Sequence, residues 1–220
     1  MQSRLITNKD FAKLTYKGKL ILKNKMTHKI MLCFVRSDSD ILESSWLNRM
    51  AASLVTTEDS SAPFIHAELL FCQPGSAPGS DTVSGLACSI VYSGSVHLES
   101  KRFSRKEWFF RSMECSKSQY DSMLSFCKVH QGDGFNHLGY FLYWSPLRFS
   151  PTAYTWLGMS PRWFCSEIVI GALKEGDILE DTVSSSMHPH DLYKLVQGSS
   201  IADCGRDMKT IKLSFDIQRV

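Results

Sequence analysis

The chain has 220 residues and a mass of 24.9 kDa, and 43% of its residues are hydrophobic and 21% charged. These values are sufficient for one globular domain with a buried core and exclude a largely disordered chain. The formal net charge of +3 gives no overall electrostatic basis for nucleic-acid binding. No apolar run in the sequence approaches the length of a membrane span.

Residues 1–28 are predicted to form a basic N-terminal extension, followed by one domain at 29–200 and a C-terminal strand or tail at 201–220. Two interpretations of the extension stay open: a solvated segment, or a peripheral contact with an acidic surface. Across the first thirty residues, Asp10 alone opposes the basic residues Arg4, Lys9, Lys13, Lys17, Lys19, Lys23, Lys25 and Lys29.

The seven cysteines indicate a reducing compartment. They are odd in number, follow no repeating spacing, and mostly lie in apolar runs, as is typical of reduced core thiols. The sequence has no Asn-x-Ser/Thr glycosylation acceptor, and its N-terminus lacks the apolar stretch of a secretory signal. We therefore expect an intracellular, cytoplasmic protein. The cysteines are Cys33, Cys72, Cys88, Cys115, Cys127, Cys165 and Cys204.

Two apolar runs in the first part of the chain predict strands. The run Lys29–Arg36 is rich in β-forming residues, and the polar stretch Ser37–Asp40 after it can cap a helix that reaches Met50. After a polar loop, the run Phe64–Phe71 predicts a strand that carries His66.

The segment Gln73–Asp81, rich in Gly, Pro and Ser, is the plainest turn region of the chain. It joins the His66 strand to a predicted strand at Leu86–Tyr92, most simply as a long-looped hairpin. A further strand is predicted at Glu107–Met113. From Ser116, a suitable N-cap, to His130, apolar residues recur at helical spacing and predict a core-facing helix.

The segment Gly132–Arg162 is aromatic and irregular, and it either walls a substrate groove or packs against the core. A helix is then predicted from Cys165 to a C-terminal stop at Gly176. A short capped helix at Met187–Val196 and a last strand at Thr210–Phe215 complete the predicted elements.

Cys165 is the candidate nucleophile because it begins a helix. The positive end of the helix dipole and a nearby imidazolium both favour the reactive thiolate. Pro161 ends the segment that precedes the helix. Glu167 in the first turn places a negative side chain at the positive end of the helix dipole. The backbone N–H groups of the same turn can donate to an oxyanion.

His66 is the candidate general base. Glu68 lies two residues further along the same strand, so the two side chains point to the same side of the sheet. Glu68 or Ser89 of the neighbouring strand is the candidate that orients the imidazole. His188 and His190 are alternative bases, although their setting is typical of the start of a helix.

No cofactor is predicted. The sequence has no Cys-x-x-Cys or His-Glu-x-x-His spacing, and His188-Pro-His190 alone is not a metal site. Gly132-Asp-Gly134 lacks the rest of either glycine-rich phosphate-binding fingerprint.

A histidine before the cysteine reverses the order in papain and points to a circularly permuted version of that fold. The chain resembles the permuted papain-like group of the NlpC superfamily, which includes bacterial members, a poxvirus group and other animal-virus proteins. The similarity covers about residues 29–197. Three runs carry it: Phe64–Phe71 against the family's His-x-Glu-Leu strand, Trp163–Val169 against its Cys-Ser-Glu helix, and His188–Tyr193 against a Pro-x-Asp-Leu-Tyr segment.

The resemblance implies an α+β, permuted papain-like fold whose antiparallel sheet packs on the cysteine-bearing helix. It implies a thiol nucleophile at Cys165, a base at His66 and a polar third residue. The family has a glycine-containing turn after the histidine strand, where this chain has the longer loop Gln73–Asp81, so Glu68 and Ser89 both stay candidates. If the chain is viral, as the resemblance suggests, its location is the host cytoplasm or the virion.

Three functions stay open. The first is a cysteine peptidase or amidase that acts on protein through a thioester. The second is a lipid acyltransferase or thioesterase of the same fold, for which the basic extension would contact a membrane surface. The third is a catalytically silent interaction module. The expected partner is a protein or a lipid acyl substrate, and no nucleic acid.

Overall fold

The computed structural model describes residues 28–40, 62–72, 80–91, 94–141, 154–156 and 158–198. Within these ranges the chain is α+β, as predicted, with an antiparallel sheet and helices packed on it. Several predictions lie outside the described residues. They are the basic extension, the helix after Asp40, most of the turn at Gln73–Asp81, and the strand at Thr210–Phe215.

Five strands form one sheet, in the order β4-β3-β2-β1-β5, and all neighbours are antiparallel. The strand that carries His66 therefore lies at the centre of the sheet. The bounds are β1 His28–Arg36, β2 Phe64–Cys72, β3 Thr82–Ser89, β4 His97–Ser104 and β5 Phe109–Cys115.

The strand predictions for β1 and β2 are confirmed, while β3 and β5 are shifted from their predicted bounds. Strand β4 was not predicted from the sequence. This strand lies at the edge of the sheet, where a polar sequence is tolerated, and its run of charged residues gives no apolar alternation.

The helices are α1 Lys117–Val129, α2 His137–Phe141, α3 Cys165–Glu175 and α4 Pro189–Gly198. Those at α1, α3 and α4 confirm predictions, and α1 begins with the expected cap: Gln119 N–H donates to Ser116 Oγ over 3.3 Å. Between α1 and α3, two-residue strands β6 (Gly134–Phe135) and β7 (Arg162–Trp163) pair in parallel. None of the described helices is long and apolar enough to cross a membrane.

The sheet buries apolar side chains on both faces. On the first face, residues of β1 and β2 pack against α1, α3 and α4, and this cluster includes Leu32, Leu69, Met123, Ile168 and Leu192. On the second face, a smaller cluster contains Met31, Cys33, Leu70 and Phe103, with Trp108 and Phe110 against it.

The strands β2 and β3 pair only from Leu69 to Cys72, opposite Cys88 to Gly85. The first half of β2, which includes His66, therefore pairs with β1 but not with β3. This interruption leaves the His66 end of β2 accessible to groups from another element.

Candidate active site

Cys165 is the first residue of α3 and is partly buried. Phe164 before it has extended backbone angles, with φ −90° and ψ 167°, so the helix begins at Cys165. The first intrahelical bond is donated by Ile168 N–H to Phe164 O over 3.1 Å. The N–H groups of the first turn thus surround Cys165 at the positive end of the helix dipole.

Glu167 fixes this turn from inside the protein. Its Oε2 accepts from Phe164 N–H over 2.9 Å and from Asn136 Nδ2 over 3.4 Å, and its Oε1 accepts from Ser186 Oγ over 2.7 Å. Glu167 is completely buried. Burial outweighs these hydrogen bonds and raises the pKa of Glu167 from 4.5 to about 7.

The segment before Cys165 is also fixed. Trp163 O accepts from Asn136 N–H over 3.1 Å, and Trp163 Nε1 donates to Asp133 Oδ2 over 3.0 Å. The side chain of Asn136, which is fully buried, accepts from Gly139 N–H and from Tyr154 Oη, each over 2.8 Å. Asp133 and Asn136, the second of which is bonded to Tyr154, thereby hold the start of α3 in place.

His66 contacts both the thiol and a carboxylate. Its ring lies within interaction range of the Cys165 side chain, and its Nε2 lies 3.1 Å from Glu68 Oε1. Burial alone would lower the pKa of His66, but the hydrogen bonds and charges of Cys165 and Glu68 raise it to about 10. The imidazole is therefore positively charged at neutral pH.

Glu68 is ionised although only 2% of its surface is exposed. Burial would raise its pKa, but the hydrogen bonds and charges of His66 and Lys101 lower it. Lys101 Nζ donates to both carboxylate oxygens, over 3.2 Å to Oε1 and 3.1 Å to Oε2. Glu68 is thus held between two cations from two different strands.

Ser89 does not take the predicted place beside His66. Its Oγ accepts from Lys101 Nζ over 3.3 Å and lies 3.3 Å from His97 Nε2. The geometry therefore places Glu68, and not Ser89, against the imidazole.

His188 and His190, the alternative bases, lie at the start of α4 and are both 6% exposed. Phe64 N–H donates to His190 Nδ1 over 3.4 Å, and His190 N–H donates to His188 Nδ1 over 3.2 Å. Both rings take part in backbone hydrogen bonds where the helix begins. This arrangement fits the helix-start interpretation of the two residues.

Three polar residues of β4 reach this site and were missed in the sequence: His97, Glu99 and Lys101. Glu99 Oε1 lies 3.1 Å from Lys101 Nζ and 3.2 Å from His97 Nε2. The usable signal was their spacing of two residues, which places all three on one side of a strand. Asn136 was missed too, because an isolated Asn in an irregular segment carries no pattern.

The described residues contain no group of three or more His, Cys, Asp or Glu side chains that could hold a metal ion. No protein-family model matches the chain, and comparisons with curated proteins and with solved structures give no significant match.

Proposed function

We propose that this protein is a cysteine hydrolase that cleaves amide or peptide bonds. Cys165 is its nucleophile, His66 the proton-transfer group and Glu68 the residue that orients the imidazole. The observation that carries this proposal is the placement of Cys165, at a helix N-terminus, beside a partly buried histidine that is also hydrogen-bonded to a carboxylate.

The charge on His66 favours the nucleophilic form of the thiol beside it. A histidine protonated at neutral pH stabilises negative charge on the sulfur to which it is hydrogen-bonded, and the helix N-terminus adds to this effect. Among the six cysteines in the described ranges, Cys165 has this setting, while Cys33, Cys72, Cys88, Cys115 and Cys127 are buried. A selectively reactive thiol is the expected consequence.

The reaction follows from these positions. The thiolate of Cys165 attacks the carbonyl carbon, a C–S bond forms, and N–H groups at the start of α3 stabilise the oxyanion. The imidazolium of His66 gives its proton to the leaving amine as the C–N bond breaks, which leaves a thioester. His66 then takes a proton from water, whose oxygen attacks the thioester and releases the acid and the thiolate.

The proposed fold is the circularly permuted papain-like one. Its support is the chain order of histidine strand before cysteine helix, together with an antiparallel sheet that packs on that helix. The motif resemblance to the permuted NlpC group agrees with both features. A cytoplasmic location is part of the same proposal, because the reactive thiol must stay reduced.

The test is the rate at which iodoacetamide alkylates each cysteine across pH, read by peptide mass. We expect fast labelling of Cys165 at neutral pH, a large loss in His66→Ala, and no such loss in the matched control His188→Ala. If Cys165 reacts no faster than the other thiols, the catalytic proposal is wrong and the interaction module becomes the better interpretation.

A lipid acyltransferase or thioesterase is the second candidate, and an exposed apolar patch favours it. Trp156 is 96% exposed, and Leu138 and Met159 are more than one-third exposed. Tyr154 connects this patch to the start of α3, because it hydrogen-bonds Met159 N–H and Asn136, which in turn contacts Glu167. Exposed apolar groups on segments linked to the start of α3 suit an acyl chain or a membrane surface.

Binding to phospholipid vesicles and the rate on a soluble peptide ester distinguish the lipid enzyme from the peptidase. A lipid enzyme should bind anionic phospholipid vesicles and lose that binding when residues 1–28 are deleted or when Trp156 and Met159 are both changed to Ala. A peptidase should keep its rate on a soluble peptide ester in those variants. Vesicle binding that none of these changes reduces would contradict the lipid candidate.

A further inference from the structure

Lys101 is connected to the proposed site through Glu68. Its ammonium group contacts both oxygens of this carboxylate, one of which, Oε1, also faces His66 Nε2. The three side chains come from β2 and from β4, an edge strand two positions away in the sheet. A long side chain from β4 must therefore cross β3 to reach Glu68.

The intervening strand provides space for this crossing. By strand alternation, β3 presents Gly85, Ala87 and Ser89 on one side, and Gly85 is the register partner of Lys101. All three are small, and the hydroxyl of Ser89 accepts from Lys101 Nζ along the way. The space beside Gly85 is taken by Leu70 and Phe71 of β2, so the room for the lysine is at the small side chain of Ala87 and at Ser89, whose hydroxyl bridges to it.

A buried carboxylate needs such a partner. Removal of charge from water is costly unless the charge is paired and hydrogen-bonded. His66 alone is an insufficient partner, because its Nε2 faces only one of the two carboxylate oxygens, Oε1. The second cation balances Glu68 and, by contacting both oxygens, fixes the plane of the carboxylate.

We propose that Lys101 is a positioning residue of this site, which holds Glu68 ionised and oriented so that its Oε1 accepts the hydrogen bond of His66. This inference rests on the proposed function for its catalytic meaning. Among the described residues, the other charged or titratable groups near this carboxylate are Cys33, its register partner on β1, and two residues of β4: Glu99, which pairs with Lys101, and His97, which lies beside Glu99 and Ser89.

The experiment compares Lys101→Met, which keeps most of the length of the side chain and removes the charge, with Lys101→Arg. Arg102→Met is the matched control, because Arg102 is the exposed neighbour on the same strand and points to the opposite side. Cys165 alkylation is followed across pH. In Lys101→Met, Glu68 takes up a proton more readily, so the acid limb of the profile moves to higher pH by about one unit.

Lys101→Arg should keep the wild-type pH profile of alkylation, since a guanidinium group can also contact both carboxylate oxygens. A Lys101→Met profile that superimposes on wild type overturns the inference. An equal shift in Arg102→Met overturns it as well, because the effect would then be one of overall charge.

A second readout does not depend on a reactive thiol. Carbon NMR of protein labelled at glutamate carboxyl carbons, with the Glu68 signal assigned through Glu68→Gln, follows this carboxyl group directly. We expect it to titrate at higher pH in Lys101→Met than in wild type. If wild-type Cys165 is unreactive, the proposed function fails, while this titration still decides whether Lys101 controls Glu68; an unmoved titration refutes that role.

Discussion

The buried carboxyl group of Glu167 should make the stability of this protein fall as pH rises toward neutrality. A carboxyl with a raised pKa in the folded state binds a proton more tightly there than in the unfolded chain. Its stabilising contribution is therefore fully present below the ordinary pKa of 4.5 and is lost as pH rises through about 7. The rise corresponds to about 3 kcal/mol, at about 1.4 kcal/mol per pH unit.

The substitution Glu167→Gln removes this dependence. Glutamine is neutral at every pH, its carbonyl oxygen can accept from Phe164 N–H, and the hydroxyl of Ser186 can rotate to accept from its amide. The variant should therefore gain about 3 kcal/mol of unfolding free energy relative to wild type between about pH 4.5 and about pH 7.5.

Urea denaturation at several pH values measures this difference. Other titrating groups affect both proteins and cancel in the comparison. Glu175→Gln removes an exposed carboxylate from the opposite end of the same helix and controls for the loss of charge. Parallel stability curves for wild type and Glu167→Gln would refute the reasoning, since Glu167 would then titrate alike in the folded and unfolded chains.

Three further predictions concern the packing around the site. Ser116→Ala removes the cap of α1 and should cost about 1 kcal/mol in urea denaturation, so an unchanged midpoint would contradict the cap. Gly171→Ala should destabilise by about 1 to 3 kcal/mol despite its helix propensity, because its Cβ would lie 2.6 Å from Phe126 Cζ; a stabilised variant would show that the ring can move. Cys127 should resist Ellman's reagent until the protein unfolds, because its hydrogen bond with Cys88 and its burial raise its pKa; rapid labelling of the folded protein would count against this prediction.

Much of the fold follows from local patterns. The helices at α1 and α3 were predictable because Ser116 and Gly176 mark their ends and their apolar residues recur at helical spacing. The strand with His66 was predictable because a run buried on both faces is almost continuously apolar. Such signals depend on residues close in sequence.

The site was predictable only in part, because its selection depends on contacts distant in sequence. The pattern gave Cys165 and His66 but left Glu68 and Ser89 equivalent, since both lie on plausible strands. What distinguishes them is the group that each one faces: Glu68 faces the imidazole of His66, whereas Ser89 lies beside His97, and Lys101 donates to both. Because β4 has no apolar alternation, the sequence did not indicate that Lys101 was near.

The proposed nucleophile lies on α3 and its proton partner on β2, and these two elements are far apart in the sequence. The contact between Cys165 and His66 can form only after the central strands and the helix have assembled. A chain still being synthesised, with its histidine strand made and its cysteine helix absent, lacks this pair. Under the proposed function, thiol reactivity therefore appears together with the native fold.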